Sequence, residues 1–91
     1  MPDRVRNNEA LDRFELDVEG GLAIAKYQLS PGRIAIVHTE VPARLRGSGL
    51  GSRLARAVLK EVRRQGLKVV PQCGFMRAFM EKNTEFNDLL G

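Results

Sequence analysis

The 91-residue sequence contains no tryptophan, one histidine and one cysteine, and aromatic residues make up only 5% of it. A single cysteine cannot form an internal disulfide, so nothing indicates an oxidising compartment, and we expect a cytoplasmic protein. No apolar run approaches membrane-spanning length, and residues 1–13 lack the apolar core of a signal peptide. We therefore predict neither a membrane partner nor a metal site.

Composition favours an ordinary folded domain with an anionic partner. Hydrophobic residues account for 43% of the chain and charged residues for 29%, which predicts a single domain over residues 1–91, acting as a monomer. The net charge of +4 indicates an anionic partner without identifying it. Four basic residues recur at helical spacing, but no aromatics are interleaved with them, so we interpret them as a solvated face and expect no nucleic acid. They are Arg53, Arg56, Lys60 and Arg63.

Alternation and turn residues predict the order of the elements. Three strands over residues 14–18, 22–29 and 33–41 form hairpins through Gly20-Gly21 and Pro31-Gly32. A helix follows from about Gly49 to Gln65 and ends at Gly66, and then come a buried strand, Leu67–Gln72, and a second helix, Gly74–Lys82. Six side chains of the second helix and the tail are predicted to face inward: Phe75, Met76, Phe79, Phe86, Leu89 and Leu90.

The stretch from Arg44 to Gly51 is the main functional signal. It is a glycine-rich turn between a strand and a helix, which exposes backbone N–H groups at the positive end of the helix dipole and lets an anion approach them. Two arginines add positive charge, so we interpret the turn as a diphosphate site. The spacing fits neither a Walker loop nor a dinucleotide fingerprint, and the glycines alone are equally consistent with a plain turn.

Three chemically active residues are predicted to meet near this turn. A strand–helix–strand crossover is right-handed, so the strand at Leu67 lies parallel to the strand at Arg33 and their carboxyl ends adjoin. His38, Glu40 and Cys73 lie at that edge. Counting in twos places His38 and Glu40 on one face, together with Ile34 and Ile36. His38 or Glu40 could take a proton, yet a lone histidine is as often structural and a free cysteine is often a core residue.

The whole string resembles the GNAT superfamily of N-acetyltransferases, and more narrowly its small, single-domain, YitI-like proteins. The resemblance is carried by five stretches: Arg13-Phe14-Glu15-Leu16, His38-Thr39-Glu40-Val41-Pro42, Arg46-Gly47-Ser48-Gly49-Leu50-Gly51, Lys68 to Phe75, and Asp88-Leu89-Leu90. It implies an α+β fold in which a mostly antiparallel mixed sheet has a splayed parallel strand pair and two helices. It also implies acetyl-CoA as co-substrate. The cofactor-binding residues would be Thr39, Val41, Arg44, Arg46, Gly47, Ser48, Gly49, Leu50, Gly51 and Arg53.

The resemblance also suggests catalytic roles. In the family the residue matching Cys73 is the suspected catalytic cysteine, acting either as a nucleophile or as the acid for the leaving thiolate. His38 and Glu40 are the candidate bases, and backbone N–H groups of Thr39 to Val41 would stabilise the oxyanion. The acceptor is an unknown amine; an open site would suit a protein or peptide amine, or a partner that completes the site. The alternatives are a non-catalytic acyl-CoA-binding module and, less favoured, a basic nucleic-acid-binding domain.

Three features depart from the family. Larger members carry a tyrosine where this chain has Phe79 and Phe86, which makes Cys73 more attractive as the acid. A His-Pro pair usual in the family is replaced by Asn83-Thr84. Only Gly20-Gly21 separates the first two predicted strands, so the helices that build an acceptor pocket in larger members are not encoded there. We therefore expect an open, shallow acceptor site.

Overall fold

The computed structural model describes residues 4–91, which form a five-stranded mixed sheet and two α-helices. The strands are β1 (Arg6–Asn8), β2 (Arg13–Val18), β3 (Gly21–Ser30), β4 (Arg33–Glu40) and β5 (Lys68–Pro71), and the helices are α1 (Leu50–Arg64) and α2 (Gly74–Lys82). The strands follow chain order across the sheet, and all neighbours are antiparallel except β4 and β5. The predicted α+β fold is confirmed.

One face of the sheet packs against both helices. Apolar side chains of that face join those of the helices in a single buried cluster, which includes Phe14, Tyr27, Ile36, Val69, Leu54 and Met76. Within residues 4–91 no helix covers the opposite face, where charged side chains pair with one another. Arg6 contacts Asp17 at 2.9 Å and Arg13 contacts Glu15 at 2.7 Å. The sheet is therefore apolar on one side, and its other side is charged, with Glu15 and Ile24 buried at its centre.

Helix α1 is held to the sheet by a stripe of buried residues at helical spacing. Leu54, Val58 and Val62, spaced four residues apart, are fully buried on one side of the helix. The helix ends where Gly66 takes a φ of +74°. There the N–H of Leu67 donates to the carbonyl of Val62 at 3.2 Å, which is the Schellman arrangement. This sharp end lets the chain enter β5 directly, parallel to β4.

The basic stripe of α1 is largely exposed, as the sequence predicted, but two of its arginines also contact the C-terminal segment. Arg56 donates to Glu85 at 2.8 Å, and Arg63 donates to Asp88 at 2.6 Å. Both guanidinium groups also lie over the ring of Phe86, 5.8 and 5.1 Å from its centroid. The two arginines therefore bind the C-terminal 3-10 segment, residues 84–89, to the helix. Periodicity could not show this, because the partners lie more than twenty residues away in sequence.

The predicted face of His38 and Glu40 is wrong in one respect. Lys26 of β3 pairs with His38, but the next residue, Tyr27, pairs with Ile36, so Val37 is an extra residue in β4. Such a β-bulge shifts every later side chain to the other face. His38 and Glu40 still point the same way, but onto the open face of the sheet, opposite to Ile36. Thr39 takes the helix-covered face instead.

Three further features of the structure differ from what the sequence predicts. The short edge strand β1 was not predicted, because its polar sequence shows no alternation; Asn7 of this strand accepts a hydrogen bond from the buried Tyr27 hydroxyl. In the tail, Phe86 and Leu89 are buried as predicted, but the Leu90 side chain is 48% exposed. Leu90 contributes its backbone, which bridges to Val69 of β5. Phe75 of α2, which the sequence predicts to face inward, is also exposed, because it lines the cavity described below.

Candidate active site

Strands β4 and β5 separate halfway along β4. The pairing covers only Arg33 to Ile36 of β4, whose last partner is Pro71. Beyond it, the N–H of Cys73 donates to the carbonyl of Ile36 at 2.9 Å, and the chain then turns into α2. The remainder of β4, residues 37–40, has β3 on one side and no β5 partner on the other. A chain-like ligand can therefore lie along this backbone edge.

The turn before α1 exposes N–H groups at the same end of the sheet. Gly47 and Gly49 have φ values of +84° and +87°, which explains why glycine stands at both positions. The first bond of the helix runs from the Arg53 N–H to the Gly49 carbonyl at 3.1 Å. The N–H groups of residues 50–52 therefore have no acceptor within the helix, and no side chain caps it. Together with the helix dipole, they form an anion-binding surface.

A cavity of about 530 Å³ joins the turn to the free edge of β4. Eight of the predicted site residues line it: His38, Thr39, Glu40, Val41, Arg46, Gly47, Gly49 and Gly51. Three residues that were not predicted also line it: Ser52, Leu54 and Phe75. Ser52 and Leu54 directly follow the glycine turn, so they could have been inferred from their position. Phe75 could not, because it comes from α2, which the sequence places near the site only through folding.

Five predicted residues do not line the cavity. Arg44 donates a hydrogen bond to the Gly20 carbonyl and so reaches back to the β2–β3 hairpin. The hydroxyl of Ser48 donates to the Leu45 carbonyl within the turn, and Leu50 is a core residue that is 2% exposed. Arg53 is exposed in the first turn of α1. Cys73, the fifth, contacts Thr39, which lines the cavity.

His38 and Glu40 form a hydrogen-bonded pair at the cavity. The His38 Nε2 atom lies 3.0 Å from Glu40 Oε1, and both side chains are more than half exposed. The hydrogen bond from His38 lowers the pKa of the Glu40 carboxyl and outweighs the opposing effect of burial, and the charges of Lys26 and Arg13 add smaller decreases. Glu40 is therefore ionised at neutral pH and orients the imidazole.

Cys73 is positioned by Thr39 and by the start of α2. Its Sγ atom lies 3.5 Å from the Thr39 hydroxyl oxygen, and the residue is half-buried. Burial raises the pKa of the thiol, but hydrogen bonds from the Thr39 hydroxyl and from the backbone N–H groups of Met76, Phe75 and Thr39 together outweigh it, and the pKa is lowered. These groups are the ones that stabilise a thiolate here.

This combination of a splayed strand pair, an open backbone edge and a glycine turn that opens a helix defines an acyltransferase fold. The profile of the family described as GCN5-related N-acetyl-transferase matches residues 13–89, and the chain belongs to this family. The membership confirms the resemblance to the GNAT superfamily; the narrower YitI-like assignment stays a prediction.

Individual relatives agree with the family. The chain is 31% identical over 85 residues to Protein NATD1 of Mus musculus, a match that covers 90% of this chain and 77% of the relative. Protein NATD1 of Homo sapiens matches at the same identity, with 75% of its length covered. Among solved structures, a GCN5-like protein of Staphylococcus aureus aligns with a TM-score of 0.72 and 28% identity, covering 97% of this chain and 87% of that one. In the part of the chain described here, no helix is long and apolar enough to cross a membrane.

Proposed function

We propose that this acyltransferase takes its acetyl group from acetyl-CoA and transfers it to an amine. The observation that supports this most is the continuity of the cavity, which runs from the N–H groups at the start of α1 to the unpaired edge of β4. A Cβ added at Gly47 or Gly49 would meet no protein atom within 4 Å, so the space over the turn is open to a ligand. The residues present therefore fit a diphosphate with an attached chain.

The turn and α1 would hold the phosphates of coenzyme A. Arg46 lines the cavity and supplies a charged donor, and the N–H groups of residues 50–52 supply the helix dipole contact. Arg44, Ser48 and Arg53 lie outside the wall and would contribute from the rim. The edge of β4 from Thr39 to Val41 would donate backbone hydrogen bonds to the chain-like arm. When bound, acetyl-CoA supplies an acetyl group activated as a thioester.

His38 and Glu40 are the proposed bases. The acceptor amine must lose a proton when it attacks the thioester carbon, and the imidazole can accept that proton directly or through water. Glu40 is ionised and would hold the imidazole in place while stabilising its charged form. The backbone N–H groups of residues 39–41 are the proposed oxyanion donors, with that of Thr39 shared with the Cys73 thiol.

Cys73 has two possible roles, which the geometry leaves open. As an acid, the thiol donates its proton to the sulfur of coenzyme A as the amine attacks directly. As a nucleophile, it attacks the thioester first, forming an acetyl-cysteine bond and releasing coenzyme A, before the amine takes the acetyl group. We favour direct transfer, because Cys73 is not among the residues that line the cavity.

The acceptor is proposed to be a protein or peptide amine. The β2–β3 hairpin turns at Gly20 and carries no inserted helix, and the opposite face of the sheet is open at His38 and Glu40. A large acceptor can reach the imidazole across this face, whereas nothing there would enclose a small one. That the protein acts as a monomer, as a single domain over residues 1–91 and in the cytoplasm stays a prediction.

One observation favours a second candidate, a non-catalytic module that binds acyl-CoA. Among residues 4–91, the side chains that line the cavity include neither a thiol nor a phenol that could protonate the leaving sulfur. Intact-mass analysis after exposure to acetyl-CoA, with and without a pool of amines and peptides, separates the two. Acetylated product supports the transferase, and binding with no product above background supports the module.

Binding itself is tested by a matched pair of glycine variants. Gly49 and Gly32 both have positive φ and open space where a side chain would extend, but only Gly49 lies in the cavity wall. Calorimetry should show that Gly49→Val lowers the affinity for coenzyme A at least about tenfold. A β-branched residue is strained at this positive φ, and its side chain would occupy the space over the turn. Gly32→Val should lose stability but keep its affinity. Equal affinities in both variants would refute the proposed phosphate site.

A further inference from the structure

Phe75 is an apolar side chain exposed at a functional place. Of the large apolar side chains that are exposed within residues 4–91, only Phe75 lines the cavity, with 43% of the residue accessible. It lies in the first turn of α2 and is the only residue that α2 contributes to the wall. At the turn before α1, the same cavity is lined by Arg46 and by the backbone N–H groups at the start of the helix. The cavity therefore presents a charged wall and, from α2, an uncharged ring.

Gly51 explains how the ring reaches this place. Unlike Gly47 and Gly49, it has no positive φ, and it lies within the first turn of α1, where alanine would form a better helix. A Cβ at Gly51 would lie 2.8 Å from Cζ of Phe75 and 3.2 Å from Cε1. The glycine is therefore required for space, because the edge of the ring packs directly against the helix backbone.

We propose that Phe75 and Gly51 form a clamp for the uncharged arm of the ligand whose diphosphate binds at the turn. The ring packs on Gly51 and lines the same cavity as the free edge of β4, and in the clamp the arm lies between the two. This inference rests on the proposed function, since acyl-CoA is a ligand with a charged head and an uncharged arm. The clamp requires the arm to cover the part of the Phe75 ring that is now exposed to solvent.

The clamp also lies directly beside the thiol. The backbone N–H of Phe75 is one of the groups that hydrogen-bond Cys73, two residues earlier, while Thr39 contacts the thiol from β4 and lines the cavity. An arm held between the ring and β4 would therefore end close to Cys73. Phe75 acts in this proposal as a positioning residue, because it holds the arm and takes no part in proton or acyl transfer.

The test compares coenzyme A with its head alone. Calorimetry should show that Phe75→Ala lowers the affinity for coenzyme A about tenfold, because the arm loses its contact with part of the ring. Its affinity for 3′-phospho-ADP, which has the diphosphate and lacks the arm, should stay within about twofold of wild type. Phe75→Leu should restore most of the loss. Leu29→Ala, which removes an exposed apolar side chain outside the cavity, is the control and should bind both ligands normally.

The outcomes separate this inference from the proposed function. If wild-type protein binds neither ligand, the proposed function fails. If Phe75→Ala weakens both ligands equally, or neither, the clamp is wrong and the phosphate site stands.

A second comparison tests the pairing of the two residues. Gly51→Ala should weaken coenzyme A in the wild-type background and have much less effect in the Phe75→Ala background, where the ring is absent. An equal effect in both backgrounds would show that the contact between Gly51 and the ring does not matter, and would overturn the clamp.

Discussion

At the scale of single residues, the state of the Cys73 thiol depends on one hydroxyl. Thr39 reaches it because the bulge in β4 turns this side chain onto the helix-covered face. Without the bulge, Thr39 would point away from α2 and the thiol would keep only backbone donors. A backbone irregularity that periodicity does not reveal therefore controls the chemistry of a side chain 34 positions later.

We expect Thr39→Val to raise the pKa of Cys73, because the hydroxyl hydrogen bond that stabilises the thiolate is lost while burial is kept. Cys73 is the only cysteine in the sequence, so the pH dependence of alkylation by iodoacetamide reports this thiol alone. The midpoint should move to higher pH in Thr39→Val and return in Thr39→Ser. An unchanged midpoint in the valine variant would show that Thr39 does not act on the thiol.

Glu40 gives a second prediction at this scale. Its pKa is lowered by the His38 hydrogen bond, so the carboxylate is charged throughout the neutral range and its titration does not limit the rate there. Glu40→Gln keeps an oxygen for His38 but removes the charge. We expect kcat to fall about tenfold while coenzyme A affinity is unchanged. Glu19→Gln, in the β2–β3 turn, serves as the control, and equal rates in both variants would remove Glu40 from the mechanism.

At the scale of the elements, the sequence predicts what local pattern controls. The buried stripe of α1, its end at Gly66 and the parallel pair β4–β5 all follow from periodicity, glycine and crossover handedness. The bulge at Val37 does not, because one extra residue leaves no mark in an apolar run. Strand β1 is missed for a related reason, since a three-residue polar edge strand depends on the pairing that β2 offers. Most of the cavity wall was predicted because it is contiguous in sequence, and Phe75 was missed because it is not.

The docking of residues 84–89 on α1 predicts a difference between two basic residues of one helix. Arg63 has an ion pair with Asp88 and lies over Phe86, whereas Lys60 is exposed and contacts neither. Arg63→Ala should lower the free energy of unfolding by about 1 kcal/mol, from the lost cation–π contact and a partly exposed ion pair. Lys60→Ala should change it by less than about 0.5 kcal/mol. Urea denaturation measures both, and equal losses would show that the contacts of Arg63 do not stabilise the fold.

At the scale of the whole molecule, the sheet has helices on one face and a network of charges on the other. Glu15 is at its centre: the residue is 4% exposed and accepts hydrogen bonds from Asn8 and Arg13. An exposed face built from paired charges can remain in water, so the fold does not need a second layer of helices. The face near His38 thereby stays accessible to an acceptor.

This network, together with the ion pair between Arg63 and Asp88 at the C-terminal segment, makes the fold sensitive to acid. The hydrogen bonds from Asn8 and Arg13 lower the pKa of Glu15, and that from Arg63 lowers the pKa of Asp88. A carboxyl whose pKa is lower in the folded state stabilises the protein above its unfolded pKa, and this contribution is lost as pH falls through the folded pKa. The melting temperature should therefore change little between pH 7 and about pH 5 and fall below about pH 4.

Glu15→Gln tests whether this residue carries part of the acid sensitivity. The variant has one carboxyl fewer to protonate, so its melting temperature should fall less between pH 5 and pH 3 than that of the wild type, even if it starts lower. Glu81→Gln, on the exposed side of α2, should fall as the wild type does. Circular dichroism melts at each pH measure both. If Glu15→Gln and the wild type fall by the same amount, Glu15 contributes nothing to acid unfolding, and the charged face must be stabilised by its remaining pairs.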